Sequence, residues 1–328
     1  MTSTTKRIGV VLLQLGGPDS LESVEPFLKN LFSDADIIDF PLAFLFLRSL
    51  ARLISSRRGP IAREIYRRIG GRSPILKLTR RQAARLEDEL RRTIDARVYV
   101  AMRYWHPMTD AALEELKRDG VERVVLMPLY PQYSKTTTGS SVNEWNRAVA
   151  RHGVNRLPID IIREYCDHPL YIEALVRNIR YAINRVPVAD RQKIHLVFSA
   201  HGTPMKLVRD GDPYQQHVIR TYRSVIEAGN FGCAHHLCYQ SKVGPQQWLK
   251  PSLVETIERL AREGVSHVIT VPIAFVSDHS ETLVEINMEA REQAKQLGMR
   301  HFDISPALNA SPAFIGALAD LVVKKVSE

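Results

Sequence analysis

Four ionisable side chains crowd one short stretch of this chain: Asp278, His279, Glu281 and Glu285, in "PIAFVSDHSETLVEI" (Pro272–Ile286). A β-type apolar run, Val268–Val271, leads directly into it. A helix start accounts for part of the pattern. Asp278 or Ser280 can cap a helix, and acids near its N-terminus meet the positive end of the dipole. It does not account for both Glu281 and Glu285, which stand i and i+4 on one helical face. Like charges there repel by roughly a few tenths of a kcal/mol unless something offsets them. A row of carboxylates with a histidine suits proton relay, or transient binding of a metal that accepts imidazole and carboxylate ligands. The second candidate is His201, in "FSAHGTPM". A lone strand-end histidine is by default a hydrogen-bonded structural residue, but with an ordinary pKa near ~6.5 it can also accept a proton at neutral pH. Gly202 lets the backbone approach a ligand closely, and Pro204 stiffens the turn.

These residues must be placed by the elements around them. Short β-branched runs alternate with longer amphipathic segments. The predicted strands are Ile8–Leu13, Val98–Arg103, Val124–Leu129, Ile194–Ser199, His236–Tyr239 and Val268–Ile273. Predicted helices include Thr79–Thr93, Asp110–Asp119, Tyr171–Asn184, Gln215–Ala228 and Ser252–Glu263. Continuous apolar strands separated by helices indicate α/β architecture with parallel sheets covered on both faces. The chain also repeats itself. "LEELKRDGVERVVLMP" (Leu113–Pro128) aligns without gaps onto "IERLAREGVSHVITVP" (Ile257–Pro272), and Gly16-x-Pro18 echoes Gly202-x-Pro204 after the first strand of each half. Two similar α/β units made by duplication follow. Open parallel sheets bind ligands outside the carboxyl ends of their strands. That rule selects His201 and the Asp278–Glu285 cluster in the second half. In the first half it selects Leu15, Gly16 and Gly17, "YPQYSKTTTGSS" (Tyr130–Ser141), and Arg103 with Tyr104.

Other chemistries lack their signatures. There is no P-loop, no convincing G-x-G-x-x-G after a strand, no G-x-S-x-G elbow and no H-E-x-x-H. The net charge of +9, from 45 basic and 36 acidic residues, favours an acidic surface or an anionic ligand. Zinc-finger spacing, a long basic run and an RNA-binding aromatic signature are all missing, so nucleic acid is not the expected partner. Three cysteines (Cys166, Cys233, Cys238) do not make a disulfide framework and fit a reducing cytoplasm. Cys233 and Cys238 flank His235 and His236 in "CAHHLC", but that spacing matches no common zinc pattern, and a buried strand with a polar edge fits better. The N-terminus does not read as a signal peptide. The strongest apolar run, Ile37–Ile54, carries Asp39, Pro41, Arg48 and Arg52 and falls short of the ~20 clean apolar residues that span a bilayer. It reads either as a core helix or as an apolar lip with basic flanks (Arg48, Arg52, Arg57, Arg58) that touches a membrane surface.

At this point the motifs resemble those of the ferrochelatase family over nearly the whole chain. The stretches are "LLQLGGPDS", "YRRIGGRSPI", "RYWHP", "YPQYSKTTTGSS", "FSAHGTPM", "YQSKVGPQQWLKP" and "PIAFVSDHSETLVEI", all in the family's order. The resemblance implies two Rossmann-like (chelatase-like) domains enclosing a porphyrin cleft, expected at 1–160 (with a lip over about 37–75) and 161–305, and a C-terminal helix, 306–328, returning toward the first. It implies insertion of ferrous iron into a porphyrin with release of two protons, the terminal step of haem synthesis. The family's essential histidine falls on His201 and its partner acid on Glu281, either as proton acceptors or as direct iron ligands. Asp278, His279 and Glu285 continue a polar path away from them. Arg103 and Tyr104 fall on the opposite porphyrin face. Arg58, Tyr66 and Ser73 fall where propionates are held, and Trp248 falls in the cleft wall. Some relatives carry an iron-reaching tyrosine at the position of Leu15; leucine there points to protoporphyrin IX rather than coproporphyrin III. Thr203 departs from the family's usual leucine. Animal forms bear an iron–sulfur cluster, but Lys135 stands at its first ligand position and the chain ends at Glu328 without a terminal cysteine, so no such cluster is expected. Fe2+ then enters as a substrate and no prosthetic group is required. The expected location is cytoplasmic with peripheral membrane contact. The rival readings are a non-catalytic tetrapyrrole carrier on the same fold, and the metal-inserting enzymes of the sirohaem and cobalamin routes.

Overall fold

The computed structural model describes residues 7–38, 43–154, 157–242 and 246–328, with the side chains of 43–45 outside that description. The chain divides into two compact units, Met1–Glu164 with Phe314–Glu328, and Tyr165–Ala313.

In the first unit, strand β1 (Ile8–Gln14) is buried along its whole length. It pairs in parallel with β2 (Ala96–Met102) on one side and β3 (Arg123–Pro128) on the other, and β3 carries the short edge strand β4 (Ile159–Ile161). The sheet order is β2-β1-β3-β4. Helices α1 (Val24–Phe32), α2 (Ala43–Arg68) and α3 (Ile75–Leu90) lie between β1 and β2, and α4 (Thr109–Arg118) lies between β2 and β3. After β3 comes a π-helix, Lys135–Gly139, that runs into α5 (Ser140–His152). Trp145, fully buried, anchors the core between sheet and helices together with Leu113, Leu116 and Leu126. Burying each such side chain contributes about 1.5–3 kcal/mol. The C-terminal helix, Pro312–Ser327, adds Phe314, Leu318 and Val322 to the buried set, and Arg123 ties its end down by donating from Nη1 to the Val326 carbonyl (2.8 Å) while Nε holds Asp160 (2.6 Å). That helix starts at Pro312 rather than 306, because Pro306 and the left-handed Asn309 (φ 44°) keep the preceding chain irregular.

The second unit repeats the plan. Strands β5 (Ile194–His201), β6 (Ala234–Gln240), β7 (His267–Pro272) and β8 (His301–Ile304) form a parallel sheet of order β6-β5-β7-β8. The permutation is the same as in the first sheet. Helix α6 (Pro169–Asn184) precedes β5. Helices α7 (Met205–Arg209) and α8 (Tyr214–Gly229) connect β5 to β6, α9 (Leu253–Arg262) connects β6 to β7, and a second π-helix (Glu281–Glu289) leading into α10 (Ala290–Gln296) connects β7 to β8. The aligned stretches Leu113–Pro128 and Ile257–Pro272 thus occupy α4–β3 and α9–β7. The paired glycines Gly120 and Gly264 take left-handed φ of 66° and 78°, which is what ends both helices. Helix α9 opens with a reciprocal Ser252–Glu255 capping box.

The sequence reading placed six strands; β4 and β8 are edge strands of three and four residues, too short to register as periodic runs. The π-helices follow β3 and β7, at matching points of the duplication. The apolar run at 37–54 lies partly outside the described residues (39–42). Its helical part belongs to α2, which has two different faces. Leu47, Ala51, Ser55 and Gly59 turn inward, while Phe46 (60% exposed), Leu53 (48%) and Ile61 (68%) turn outward beside exposed Arg48, Arg52, Arg57 and Arg58. Among the described residues, no helix is long and apolar enough to cross a membrane.

Candidate active site

In the second unit, the switch point of the sheet lies between β5 and β7, where chain connections leave in opposite directions. His201 ends β5, and the Ile273–Ser280 segment that leaves β7 delivers Glu281 as the first residue of the π-helix. The two meet there. His201 Nδ1 lies 2.8 Å from Glu281 Oε2, across 80 residues of sequence. The imidazole is held from several sides. Phe275 packs edge-on at 6.5 Å between ring centroids, and the His201 carbonyl accepts from the Tyr214 hydroxyl (3.0 Å). Gly202 is required for a reason other than ligand approach. A Cβ there would sit 2.8 Å from the Gln240 carbonyl oxygen, which accepts the Gly202 N–H at 2.8 Å. The glycine therefore lets β5 and β6 stay paired beyond the site.

Glu281 is the hub. Its Oε2 accepts from His201 Nδ1, from Ser241 Oγ (3.0 Å) and, at the edge of hydrogen-bond reach, from Gln240 Nε2 (3.4 Å), while Oε1 stands 3.8 Å from His279 Nε2. His279 is buried, donates from Nδ1 to the Ser277 carbonyl (3.1 Å) and packs against Phe275 with ring centroids 4.6 Å apart and the planes tilted by 49°. Glu285, one step along the π-helix, accepts from the Ser241 backbone N–H (2.7 Å) and contacts the same hydroxyl Oγ at 2.5 Å. Asp278 stays apart from this group. It binds Asn309 Nδ2 (2.8 Å) and Thr282 Oγ1 (3.2 Å), closing the turn before the helix.

Burial and charge oppose each other in this cluster. Desolvation disfavours the imidazolium of His201, but the charge and hydrogen bond of Glu281 outweigh it and raise the His201 pKa. Desolvation likewise works against ionised Glu281, and the His201 and His279 charges with their hydrogen bonds hold its carboxyl well below the usual range. Glu285 moves the other way: burial, reinforced by the Glu281 charge, raises it despite the Ser241 bonds. With Glu281 ionised, Nδ1 of His201 must carry the proton it donates. That leaves the Nε2 lone pair as a base directed away from the carboxylate.

Trp248 belongs to the same unit. Its ring edge lies 3.5 Å from where a Gly202 Cβ would be, and it lines a cavity of about 1000 Å3 with Gly202, Tyr239, Ser241, Glu285 and Glu289. Of the "YQSKVGPQQWLKP" stretch, residues 243–245 lie outside the described residues.

The remaining predicted residues are in the first unit. Arg103 and Tyr104 follow β2 and enter a buried polar knot around Asp34. The Asp34 carboxylate accepts from Arg103 Nη2 (2.8 Å), the Tyr104 hydroxyl (2.6 Å) and the Ser140 hydroxyl (2.5 Å), and Arg103 Nε also donates to Ser140 (2.8 Å). Burial disfavours the Asp34 charge, yet these donors hold its pKa below the usual value; Tyr104, buried beside that carboxylate, is pushed well above its own. Leu15 leaves β1 with its N–H on the Gln14 side chain (2.9 Å). Ser73 packs on Gly17 so closely that a Cβ there would come within 2.6 Å of it. Tyr66 is buried, and Arg58 is exposed with its guanidinium 5.8 Å from the Phe32 ring centroid.

Sequence reasoning did not single out Asp34, Ser140, Gln240, Ser241 or Tyr214. Ser241 lay inside a quoted stretch, but nothing in its type or spacing signals a hydroxyl between two carboxylates. The "CAHHLC" cluster is dispersed by strand alternation: Cys238 is fully buried with Sγ toward the Phe198 carbonyl (3.4 Å) and is pushed up to about 12 by burial. His235 instead pairs with the Tyr222 hydroxyl (2.6 Å), and His236 with His195 (3.0 Å). Cys233 stands in the bend just before β6, whereas Cys238 is buried within the strand.

Fold and site together define a class: a duplicated α/β protein of the chelatase type, with an imidazole–carboxylate pair at the carboxyl edge of its second sheet. The fold is shared with SirB from Bacillus subtilis with Fe3+, at a TM-score of 0.58 and 12% identity, covering 98% of this chain and 95% of that one. The ferrochelatase family model matches residues 7–326. Relatives named ferrochelatase include those of Geotalea uraniireducens, 47% identical with 98% of this chain and 99% of the relative covered, and of Geotalea daltonii, 47% identical with 97% and 98% covered. The chain belongs to the ferrochelatase family.

Proposed function

We propose that this ferrochelatase-family enzyme inserts Fe2+ into protoporphyrin IX with His201 as the proton acceptor and Glu281 as the residue that positions and charges it. Membership of the family carries the coarser statement, iron insertion into a porphyrin for haem synthesis. The observation behind the finer reading is the 2.8 Å contact between His201 Nδ1 and Glu281 Oε2.

Charge balance sets the chemistry. A free-base porphyrin carries two pyrrole N–H protons that must leave as Fe2+ enters, so the site needs a base more than it needs another metal ligand. His201 offers Nε2, and Glu281 stabilises the imidazolium that forms when Nε2 takes a proton. Glu281 is a poor iron ligand in this setting, because Oε2 already accepts from His201 and Ser241, with Gln240 close by. A macrocycle distorted on binding would tilt a pyrrole nitrogen toward that base, with the distortion offset by binding energy elsewhere on the porphyrin. Arg58 keeps its guanidinium exposed and is a candidate for a propionate carboxylate. Fe2+ is a substrate in this reading, and no resident cofactor is assigned.

The outward face of α2, with Phe46, Leu53 and Ile61 among four arginines, suits peripheral contact with an anionic membrane surface, and cytoplasmic residence goes with that. The choice of protoporphyrin rests on Leu15, whose side chain cannot ligate iron.

Anaerobic incubation with Fe2+ and either protoporphyrin IX or coproporphyrin III, followed by loss of the free-base spectrum, tests the reading. Faster conversion of coproporphyrin would overturn the substrate. His201→Ala should abolish insertion while porphyrin binding is largely retained; near-normal turnover would overturn the role of His201.

A further inference from the structure

A thiol, an imidazole and a carboxylate gather away from the His201–Glu281 pair. Cys166 stands in the turn that precedes α6, and His217 in the first turn of α8. The Cys166 Sγ and an imidazole nitrogen of His217 lie within 4.8 Å of each other. Glu164 is joined to Cys166 through Tyr165, and a carboxylate oxygen of Glu164 falls within the same reach of the thiol. Cys166 is completely buried and outside any disulfide, while His217 and Glu164 are half-buried. The thiol thus forms a dry floor, with two harder ligands at an edge that solvent reaches.

Two ties fix this turn against α8. Thr221, fully buried, has its Oγ1 2.6 Å from the Cys166 carbonyl and 3.1 Å from the His217 carbonyl one turn back in the helix. A single hydroxyl therefore sets the backbone of both residues. Next to Cys166, the Asp167 carboxylate accepts from Arg220 Nη2 (2.5 Å) and Nε (3.2 Å), which neutralises an arginine one turn along from His217. Backbone held in this way keeps a ligand set close to its working geometry.

We infer that Cys166, His217 and Glu164 form a second metal site, which takes one borderline divalent cation, Zn2+ above all, with the fourth position left to water. Sulfur, nitrogen and oxygen donors of these three types are the ones zinc accepts. With Zn–S of about 2.3 Å and Zn–N or Zn–O of about 2.0–2.1 Å, a tetrahedral ion holds its ligand atoms about 3.4–3.6 Å apart. Rotamer adjustment of the two half-buried side chains closes the shell from the separation observed. Charge balances as well. Thiolate and carboxylate bring two negative charges that the dication cancels, so a partly buried centre is left without net charge. The thiol proton goes to solvent as the Zn–S bond forms, and binding weakens on acidification. Thiolate and imidazole rank Zn2+ above Fe2+, which keeps this site apart from the one that handles substrate iron. The bound ion staples the turn before α6 to α8, the helix whose Tyr214 hydroxyl donates to the His201 carbonyl (3.0 Å). The inference is independent of the role given to His201.

Cobalt makes the thiolate visible. The full chain carrying His201→Ala, which disables the insertion site, is freed of metal and titrated with Co2+. A sulfur-to-cobalt charge-transfer band should appear, saturate at one ion per chain and vanish when Zn2+ is added. Cys166→Ser should abolish the band and Cys233→Ser should keep it. His217→Gln and Glu164→Gln should each weaken Zn2+ binding about tenfold or more. Zn2+ should raise the Tm of the parent by a few degrees and leave that of Cys166→Ser unmoved. If Cys166→Ser does not fold, His217→Gln, changed at a half-buried position, decides the matter. The site is overturned if no thiolate band forms in the parent, if the band survives Cys166→Ser, or if Zn2+ binds His217→Gln within about twofold of the parent.

Discussion

Replacing Glu281 by glutamine tests the electrostatics of the site with a change of one atom type. In the parent, an ionised carboxylate accepts from His201 Nδ1 at 2.8 Å and keeps the ring in the tautomer that leaves Nε2 as the base. The amide is nearly isosteric but neutral, and if its nitrogen faces the ring it stabilises the opposite tautomer. A hydrogen bond to a charged group contributes about 1.5–3 kcal/mol, against about 0.5–1.5 for a neutral one, and the imidazolium formed during reaction also loses its counter-charge. Taking about 2–3 kcal/mol as the combined loss gives a fall in kcat of about 30- to 160-fold on the alkaline plateau. The pH dependence should move as well. Without the carboxylate, only desolvation and the more distant Glu285 act on His201, so its pKa drops from above the ordinary value toward or below it. The acid limb of kcat/KM then shifts to lower pH by about one unit or more. Stability carries the same signature. The lowered Glu281 pKa stabilises the fold above the unfolded value of ~4.5, an effect lost as pH falls; the raised His201 pKa stabilises below ~6.5, an effect lost as pH rises. The pair therefore contributes most between those limits, and the difference in Tm between parent and Glu281→Gln should be largest there. Turnover within about threefold of the parent, with an unmoved acid limb, would refute the reasoning.

Further outcomes follow from other parts of the structure. Asp34→Ala strips the half-buried Arg103 guanidinium and the buried Tyr104 hydroxyl of their shared partner and should cost about 3–5 kcal/mol in a denaturant titration, far more than loss of an exposed ion pair. Phe46→Ser together with Leu53→Ser should weaken co-sedimentation with anionic vesicles and leave Tm nearly unchanged; Leu47→Ser, on the inward face of the same helix, should lower Tm by several degrees. His236, held near pKa 4 by burial and by neighbouring His195 and Arg259, is neutral in the fold and protonates more readily when unfolded. Stability should decline as pH falls from ~6.5 toward that value, and His236→Gln should flatten the decline.

Much of the fold could be read from residue types. Buried strands announce themselves as continuous β-branched runs, and the repeated helix–glycine–strand block disclosed the duplication that the two identical sheet orders display. The short edge strands and the π-helices were not legible. A three-residue strand carries no period, and a π-turn differs from an α-turn by a hydrogen-bond shift that side-chain types do not encode. The two faces of α2 show the same limit. Its apolar content was plain, but which apolar residues turn inward depends on what packs beneath them.

In the site, the sequence alone placed His201 and Glu281 at strand ends on the ligand side of a parallel sheet, because strand length, strand exit and local charge are all local properties. It also posed the problem of two carboxylates at i and i+4 with nothing evident to offset their repulsion. Only the tertiary structure decided what answers it. Sheet order β6-β5-β7-β8 brings the ends of β5 and β6 to the start of the second π-helix, so that His201, 80 residues from Glu281, and Ser241, 40 residues away, both reach its carboxylate. The same register delivers one left-handed serine whose N–H and hydroxyl meet Glu285. Partners of this kind are set by which strands neighbour each other. That is a property of the assembled sheet, and no stretch of the chain carries it by itself.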